Sequence, residues 1–67
     1  MIGLVVNGKE RELEEGVTVA GFLGQMGLDV RLVAIELNGE ILKRDRYADT
    51  VLAEGDRMEV VRFVQGG

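Results

Sequence analysis

The C-terminal residues Gly66 and Gly67 are the part of this 67-residue chain best suited to covalent chemistry. Neither carries a Cβ atom, so the segment fits a channel that any side chain would block. A terminal carboxylate is ionised at neutral pH and becomes an acylating group only after activation, for example by adenylation with ATP. A bare diglycine is more often a frayed end. We nevertheless expect residues 65–67, which begin with Gln65 and reach about 10 Å when extended, to form a flexible tail that presents Gly67.

The side-chain inventory argues against a self-contained enzyme. Histidine and cysteine are absent, and so is serine, so that neither a Ser–His nor a Cys–His nucleophile can be assembled. A zinc site is nearly excluded as well, because carboxylates alone make a poor tetrahedral ligand set. The 12 acidic residues allow a carboxylate pair in principle, but a chain of this size has little room for a deep pocket. We therefore predict no catalytic residue, no metal site and no bound cofactor.

The composition is that of one small globular domain, with 46% hydrophobic and 30% charged residues. A net charge of −4 disfavours nucleic acid as a partner, since phosphates require a basic surface. No apolar stretch approaches the ~20 residues that cross a bilayer, and no secretory leader is visible at the start. We expect a cytoplasmic protein that does not bind membranes and is a monomer when free.

Glycine-containing turns divide the chain into short elements. The alternating segment Ile2–Val6 predicts a strand, Asn7-Gly8 predicts a hairpin turn, and the charged return strand 9–13 suits a solvated sheet edge. Asn38-Gly39 predicts a second hairpin turn, between a strand over 31–37 and a short strand over 40–42. The segment 43–52 reads as a loop with a short helical turn, held to the core by three apolar residues: Tyr47, Val51 and Leu52.

One helix is predicted after Thr18, which is a suitable N-cap, and it ends at Gly27. Its apolar residues fall at helical spacing: Val19, Phe22, Leu23 and Met26. The interior glycines Gly21 and Gly24 each cost about 1 kcal/mol relative to alanine. Packing against the rest of the domain must therefore hold this helix in place.

The last strand, over residues 57–64, is apolar on both faces, which favours a central position. The long connection through the helix favours parallel neighbours. These elements predict an α+β roll of the β-grasp (ubiquitin-like) type over residues 1–64, in which a mixed four- to five-stranded sheet packs on one helix. We assign Met58 and Val60 to the core beneath the helix. We predict a partner interface on the open sheet face, formed by four apolar residues: Val61, Phe63, Ala34 and Leu32.

The whole chain resembles the ubiquitin-like sulfur carriers, and among them those of thiamine biosynthesis. The resemblance is carried by the run 37–42, then by Arg44, Tyr47-Ala48, 50–52 and 54–56, and by the terminal diglycine, with matching spacing from Asn38-Gly39 onward. Four positions depart from the family pattern: Lys43 stands where proline is frequent, Tyr47 where tryptophan is frequent, and Gly21 and Gly24 where more usual helix formers are expected.

The resemblance implies a carrier cycle centred on Gly67. An E1-like enzyme would adenylate the Gly67 carboxylate with ATP and Mg²⁺. A cysteine desulfurase or another sulfur donor would then convert it to a thiocarboxylate, and thiazole synthase would use that sulfur to build the thiazole ring of thiamine. Three alternatives remain open at this point. The chain could be the small subunit of molybdopterin synthase, a ubiquitin-like protein modifier, or an interaction module whose tail has no chemistry.

Overall fold

The computed structural model describes residues 1–63. Val64 and the predicted tail, Gln65 to Gly67, lie outside the described residues. The described part contains one α-helix and five strands: β1 (Ile2–Val6), β2 (Lys9–Leu13), α1 (Val19–Gln25), β3 (Val33–Leu37), β4 (Glu40–Leu42) and β5 (Arg57–Arg62). Two short 3₁₀ helices, Val30–Leu32 and Arg44–Arg46, complete the regular structure of this part of the chain.

The five strands form one mixed sheet in the order β2-β1-β5-β3-β4. Strand β5 is central, as its two apolar faces predicted; it runs parallel to β1 and antiparallel to β3. The predicted charged edge is also confirmed, because β2 lies at one side of the sheet. The strands joined through the helix were expected to be parallel neighbours, and they are not. The helix connects β2 to β3, but β1 and β5 lie between these two strands in the sheet. The last strand enters between the two hairpins, so the parallel contact falls on β1 instead.

Both predicted hairpin turns are present, and both need a left-handed backbone. Asn7 and Gly8 have φ angles of 50° and 80°, and Asn38 and Gly39 have 53° and 85°. Two consecutive residues at positive φ define the turn whose twist matches that of paired strands, and asparagine followed by glycine tolerates it best. The sequence pattern therefore fixes the register of each hairpin.

The asparagine side chains of these turns have a second role, in holding β5. Asn7 Oδ1 accepts a hydrogen bond from the Val60 N–H at 2.7 Å, and Asn7 Nδ2 donates to the Val60 carbonyl at 3.2 Å. Asn38 Oδ1 accepts from the Arg57 N–H at 2.9 Å. Each amide thus replaces a backbone partner where the neighbouring strand turns away. Together the two amides provide hydrogen-bond partners for backbone groups of β5 at Arg57 and at Val60.

Helix α1 begins and ends as the sequence predicted. The hydroxyl of Thr18 accepts from the Gly21 N–H at 3.0 Å. The N–H groups of Val19 and Ala20, which have no partner within the helix, donate to the carbonyls of Thr50 and Tyr47 at 2.9 and 3.0 Å. The loop after β4 therefore caps a seven-residue helix whose intrinsic stability is low.

The core lies between α1 and one face of the sheet. Its buried residues are Leu4, Val6, Leu13, Val19, Phe22, Leu23, Val33, Ile35, Tyr47, Leu52 and Met58. Val60 is partly buried and packs against them, so its assignment and that of Met58 to the helix side are confirmed.

Four expectations about individual elements are wrong. Met26 is the C-cap of α1 and is exposed. Val51 is exposed too, because the adjacent Leu52 N–H bonds to the Val17 carbonyl at 2.9 Å and directs Leu52, not Val51, inward. The third strand begins at Val33 rather than residue 31, since the Asp29 carboxylate caps a 3₁₀ turn over the preceding residues. The last strand ends at Arg62.

The role of Asn7 can be separated from its turn conformation. We expect Asn7→Gly to keep the positive φ but lose both side-chain hydrogen bonds, which lowers the free energy of unfolding by about 1–2 kcal/mol. Urea denaturation measures this loss. Amide hydrogen exchange should accelerate at Val60 more than at Leu28, whose N–H bonds to the Leu23 carbonyl at 2.9 Å. Unchanged protection at Val60 would show that the Asn7 amide does not hold β5.

Candidate functional site

The chain leaves the sheet at the end of β5, and this is where the predicted site begins. Arg62 pairs with Val33, and the Phe63 N–H donates to the Leu32 carbonyl at 2.8 Å. Backbone pairing with β3 and the residue before it thus extends to the last described residue. Gly67, Gly66 and Gln65 themselves lie outside the described residues, so their roles stay predictions.

The four residues predicted as a partner interface lie close together at this end. Val61 is 55% exposed and stands directly opposite Ala34, which is partly buried. Phe63 is 52% exposed, and Leu32 is exposed beside it on the neighbouring segment. We call Val61, Phe63, Ala34 and Leu32 the apolar patch. Exposed apolar side chains grouped in this way are typical of interaction sites, and their role in binding stays a prediction.

The apolar patch spans two surfaces rather than one. Ala34 and Val61 lie on the open sheet face, opposite α1. Leu32 belongs to a 3₁₀ helix, and with Phe63 it lines a shallow hollow of about 250 Å³ at the end of the sheet. The reason is the 3₁₀ turn before β3, which takes Leu32 out of the strand alternation. A partner bound to all four residues would therefore contact both the open face and its edge.

One exposed apolar residue of the open face was not predicted from the sequence. Ile41 in β4 pairs with Glu36 of β3 and is 80% exposed. It lies on the strand next to β3, diagonal to Ala34, within the reach of long side chains. The signal was available in the alternation of Glu40, Ile41 and Leu42, since only one of the two apolar residues can face the helix.

An ion pair borders the hollow beside Phe63. Asp29 accepts from Arg31 Nη2 at 2.8 Å and from Arg31 Nε at 3.1 Å, and it also accepts the Arg31 backbone N–H at 2.9 Å. Hydrogen bonds from the Arg31 side chain and backbone lower the pKa of Asp29 from 3.8 to about 2. Asp29 is therefore charged and already paired at neutral pH, so it is engaged in structure and not available as a general base.

The acidic turn before β5 is also structural. Glu54 Oε1 accepts from the Gly3 N–H at 2.8 Å, and the two carboxylate oxygens of Asp56 accept from Ala53 N and Asn38 Nδ2 at 2.8 and 3.0 Å. Within residues 1–63, no cluster of acidic side chains has the arrangement of a metal site. In the same part of the chain, no helix has the length and apolar character to cross a membrane.

A five-stranded mixed sheet with one helix on one face, and with a central last strand, defines the β-grasp class of ubiquitin-like proteins. A crystal structure of the thiamine biosynthesis protein ThiS from Geobacter metallireducens has this fold. It superposes with a TM-score of 0.83 at 33% sequence identity, covering 98% of this chain and 100% of that one. The predicted fold class is thus confirmed.

The sequence model of the ThiS family matches residues 4–67. A sulfur carrier protein ThiS from Thermus thermophilus is 40% identical over 62 residues, which are 92% of this chain and 95% of that protein. A thiazole synthase from Paramagnetospirillum magneticum is 44% identical over 64 residues, which are 96% of this chain and 20% of that protein. The chain therefore spans about a fifth of the length of the thiazole synthases that it matches.

This chain belongs to the ThiS family, the small sulfur carriers of thiamine biosynthesis. The resemblance inferred from residues 37–56 and the diglycine is confirmed. The match extends beyond Phe63 to Gly67, so it includes the residues that the sequence singled out for chemistry.

The exposure of the apolar patch predicts that polar substitutions there are tolerated by the fold. We expect Phe63→Asp and Val61→Asp each to change the free energy of unfolding by less than about 0.5 kcal/mol. The matched core substitution Met58→Ala on the same strand should cost about 2–5 kcal/mol, because it leaves a cavity at a fully buried site. Urea denaturation followed by circular dichroism compares the three. A loss for Phe63→Asp as large as that for Met58→Ala would place Phe63 in the core.

The Asp29 pKa gives a pH prediction with a definite sign. Since the folded-state pKa lies below the usual value, the Asp29–Arg31 pair stabilises the protein above about pH 4 and stops doing so as the pH falls to about 2. NMR titration of the Asp29 carboxyl carbon should give the low pKa directly. Arg31→Gln should return it toward 3.8, whereas Arg46→Gln should not. An Asp29 pKa that stays low in Arg31→Gln would rule out the pair as the cause.

Proposed function

We propose that this chain is a protein cosubstrate that carries sulfur on the carboxyl group of Gly67. The carboxylate oxygen attacks the α-phosphorus of ATP on an E1-like adenylating enzyme, which forms an acyl adenylate and releases pyrophosphate. The terminal sulfur of a cysteine desulfurase persulfide then attacks the carbonyl carbon and displaces AMP, and a thiol reductant cleaves the resulting acyl disulfide, which leaves the thiocarboxylate on Gly67 and a disulfide on the thiols. A donor that supplies sulfide would displace AMP and give the thiocarboxylate directly. The resulting thiocarboxylate gives its sulfur to thiazole synthase for the thiazole ring of thiamine.

Membership of the ThiS family over residues 4–67 is the observation that carries this proposal. The residue inventory supports it independently. The chain has no cysteine, so sulfur has no side chain on which to travel as a persulfide or disulfide. The Gly67 carboxyl group is then the natural place of attachment. Catalytic groups, ATP and Mg²⁺ belong to the activating partner in this scheme.

The thiazole synthases among the relatives support thiazole synthase as the acceptor. Those proteins are about five times as long as this chain, and each includes a segment similar to nearly all of it. A module that is part of the synthase in one protein and a separate chain in another commonly acts on the same partner. We propose that this chain docks on a thiazole synthase and delivers the sulfur of Gly67 there.

The apolar patch is the proposed docking surface for these partners. It is exposed and lies at the end of β5, next to the segment that carries Gly67. A partner that covers Val61 and Phe63 would hold the start of residues 64–67 at a fixed distance from its own active site. Phe63→Asp should therefore weaken partner binding while the fold is retained.

Sulfur loading can be tested on the C-terminal peptide. We predict that incubation with the adenylating enzyme, ATP, Mg²⁺ and a sulfur donor replaces one carboxyl oxygen of Gly67 by sulfur. Intact mass is ambiguous, because oxidation of Met1, Met26 or Met58 gives nearly the same gain. Tryptic cleavage after Arg62 releases residues 63–67, which contain no methionine. The mass gain should appear on this peptide and disappear when ATP is omitted.

Deletion of Gly67 provides the matched control for loading. We expect the truncated chain to keep its circular dichroism spectrum and urea midpoint, because the core that holds the helix on the sheet is built from residues 4–58. It should not be adenylated, which pyrophosphate release measures. An unchanged 63–67 peptide from the full chain under conditions where the enzyme is active would contradict the proposed function.

A further inference from the structure

A second groove lies on the helix side of the sheet, opposite the open face. It has a volume of about 260 Å³ and runs between the β1–β2 hairpin, the end of α1 and the end of β5. Its apolar lining includes Phe22, Met26 and Leu28, and its basic lining is Lys9, Arg11 and Arg62. We call this the basic groove. Met26, whose exposure helical periodicity did not predict, lies in this lining.

The charges of the basic groove are of one sign. Strand alternation places Lys9 and Arg11 on the helix side of β2 and the acidic residues between and after them on the open face. Arg11 lies over the Phe22 ring, with its Cζ atom 5.9 Å from the ring centroid. Within residues 1–63, the ion pair found is that of Asp29 with Arg31, so all three basic side chains of the groove lack an acidic partner there.

Three cations without a direct acidic partner are grouped on one side of a chain whose net charge is −4, so this side attracts anions more strongly than the rest of the described surface. The groove also offers apolar surface from Met26 and Leu28 beside these cations, over the buried Phe22. This combination fits a peptide segment with carboxylates next to an apolar side chain, since the carboxylates pair with the basic walls while the apolar group is buried. A small inorganic anion would use the charges alone.

The position of the basic groove relates it to the C-terminal segment. Arg62 and Leu28 line both the basic groove and the hollow that contains Phe63. The two surfaces therefore meet at the last residue of β5, one on each side of the point where the chain leaves the sheet. A protein that holds residues 64–67 comes within reach of both.

We propose that the basic groove is a second docking surface, which binds an acidic segment with an apolar anchor on a partner protein that acts on Gly67. This inference rests on the proposed function. The apolar patch supplies buried area on the open side, and the basic groove supplies charge complementarity on the helix side. Paired surfaces of these two kinds fix the orientation of a partner better than either one alone.

Binding of the full chain to the adenylating enzyme and to thiazole synthase tests the proposal. The triple variant Lys9→Gln, Arg11→Gln, Arg62→Gln removes the groove charges. The matched control Lys43→Gln, Arg44→Gln, Arg46→Gln removes the same charge from an exposed turn that does not line the groove. We expect the groove variant to raise the Kd for at least one partner by about tenfold or more, and to weaken its salt dependence, while the control changes Kd by less than about threefold.

Three outcomes would overturn the inference. In the first, the groove variant binds both partners as the wild type does. In the second, the control variant weakens binding equally, which would make overall charge responsible. In the third, inorganic phosphate at millimolar concentration saturably shifts the NMR signals of Lys9, Arg11 and Arg62, which would make the groove a small-anion site. Failure of the proposed function looks different: the wild-type 63–67 peptide then gains no sulfur. If wild-type loading succeeds and the variants bind unchanged, only the docking inference fails.

Discussion

The hydrogen bonds on the two sides of β5 are the constraint on which the rest of the molecule depends. The strand enters last, between β1 and β3, and carries the chain out of the sheet beside Leu32. Its parallel contact with β1 covers only Arg57 and Met58, because β1 turns back at Asn7. The Asn7 amide then continues the pairing at Val60. A side chain thus completes the ladder where the backbone of β1 can no longer do so.

The helix also depends on contacts with residues that are distant in the chain. Two interior glycines and a length of seven residues leave α1 with little stability of its own. Its first N–H groups bond to carbonyls of the loop between β4 and β5, and Tyr47 and Leu52 of that loop are buried beneath it. Helix and loop therefore order each other. This explains how a segment without regular strand or helix period, over residues 43–52, can be a firm part of so small a domain.

Much of the fold could be predicted from local patterns, since each depends on near neighbours. The Asn-Gly pairs predicted turns with positive φ, Thr18 predicted the start of a helix, and a strand apolar on both faces predicted a central position in the sheet. The predictions that were wrong concern features that depend on residues distant in the chain. Whether Val51 or Leu52 faces inward depends on the bond to Val17, and Leu32 leaves the strand because Asp29 caps a turn. The parallel neighbour of β5 depends on which gap the last strand enters.

The candidate site likewise contains residues that could be predicted from the sequence and residues that could not. The diglycine and the apolar residues of β5 were visible in the sequence, because they depend on residue type and alternation. The basic groove was not visible, since it joins residues of β2, α1 and β5 that are far apart in the chain. Ile41 could have been found by applying strand alternation to β4. The second role of Asn7 and Asn38 had no sequence signal, because turn geometry alone accounts for both residues.

Strand alternation also separates charge across the thickness of the sheet. Lys9, Arg11 and Arg62 lie toward the helix, and the acidic side chains of β2, β3 and β5 lie on the other face: Glu10, Glu12, Glu36 and Glu59. On these three strands Arg57 is the basic exception on the open face, so the two sides of this part of the sheet differ in the sign of most of their charges. A charged protein that approaches would be attracted to one side and repelled from the other before any contact forms, which favours one orientation of encounter.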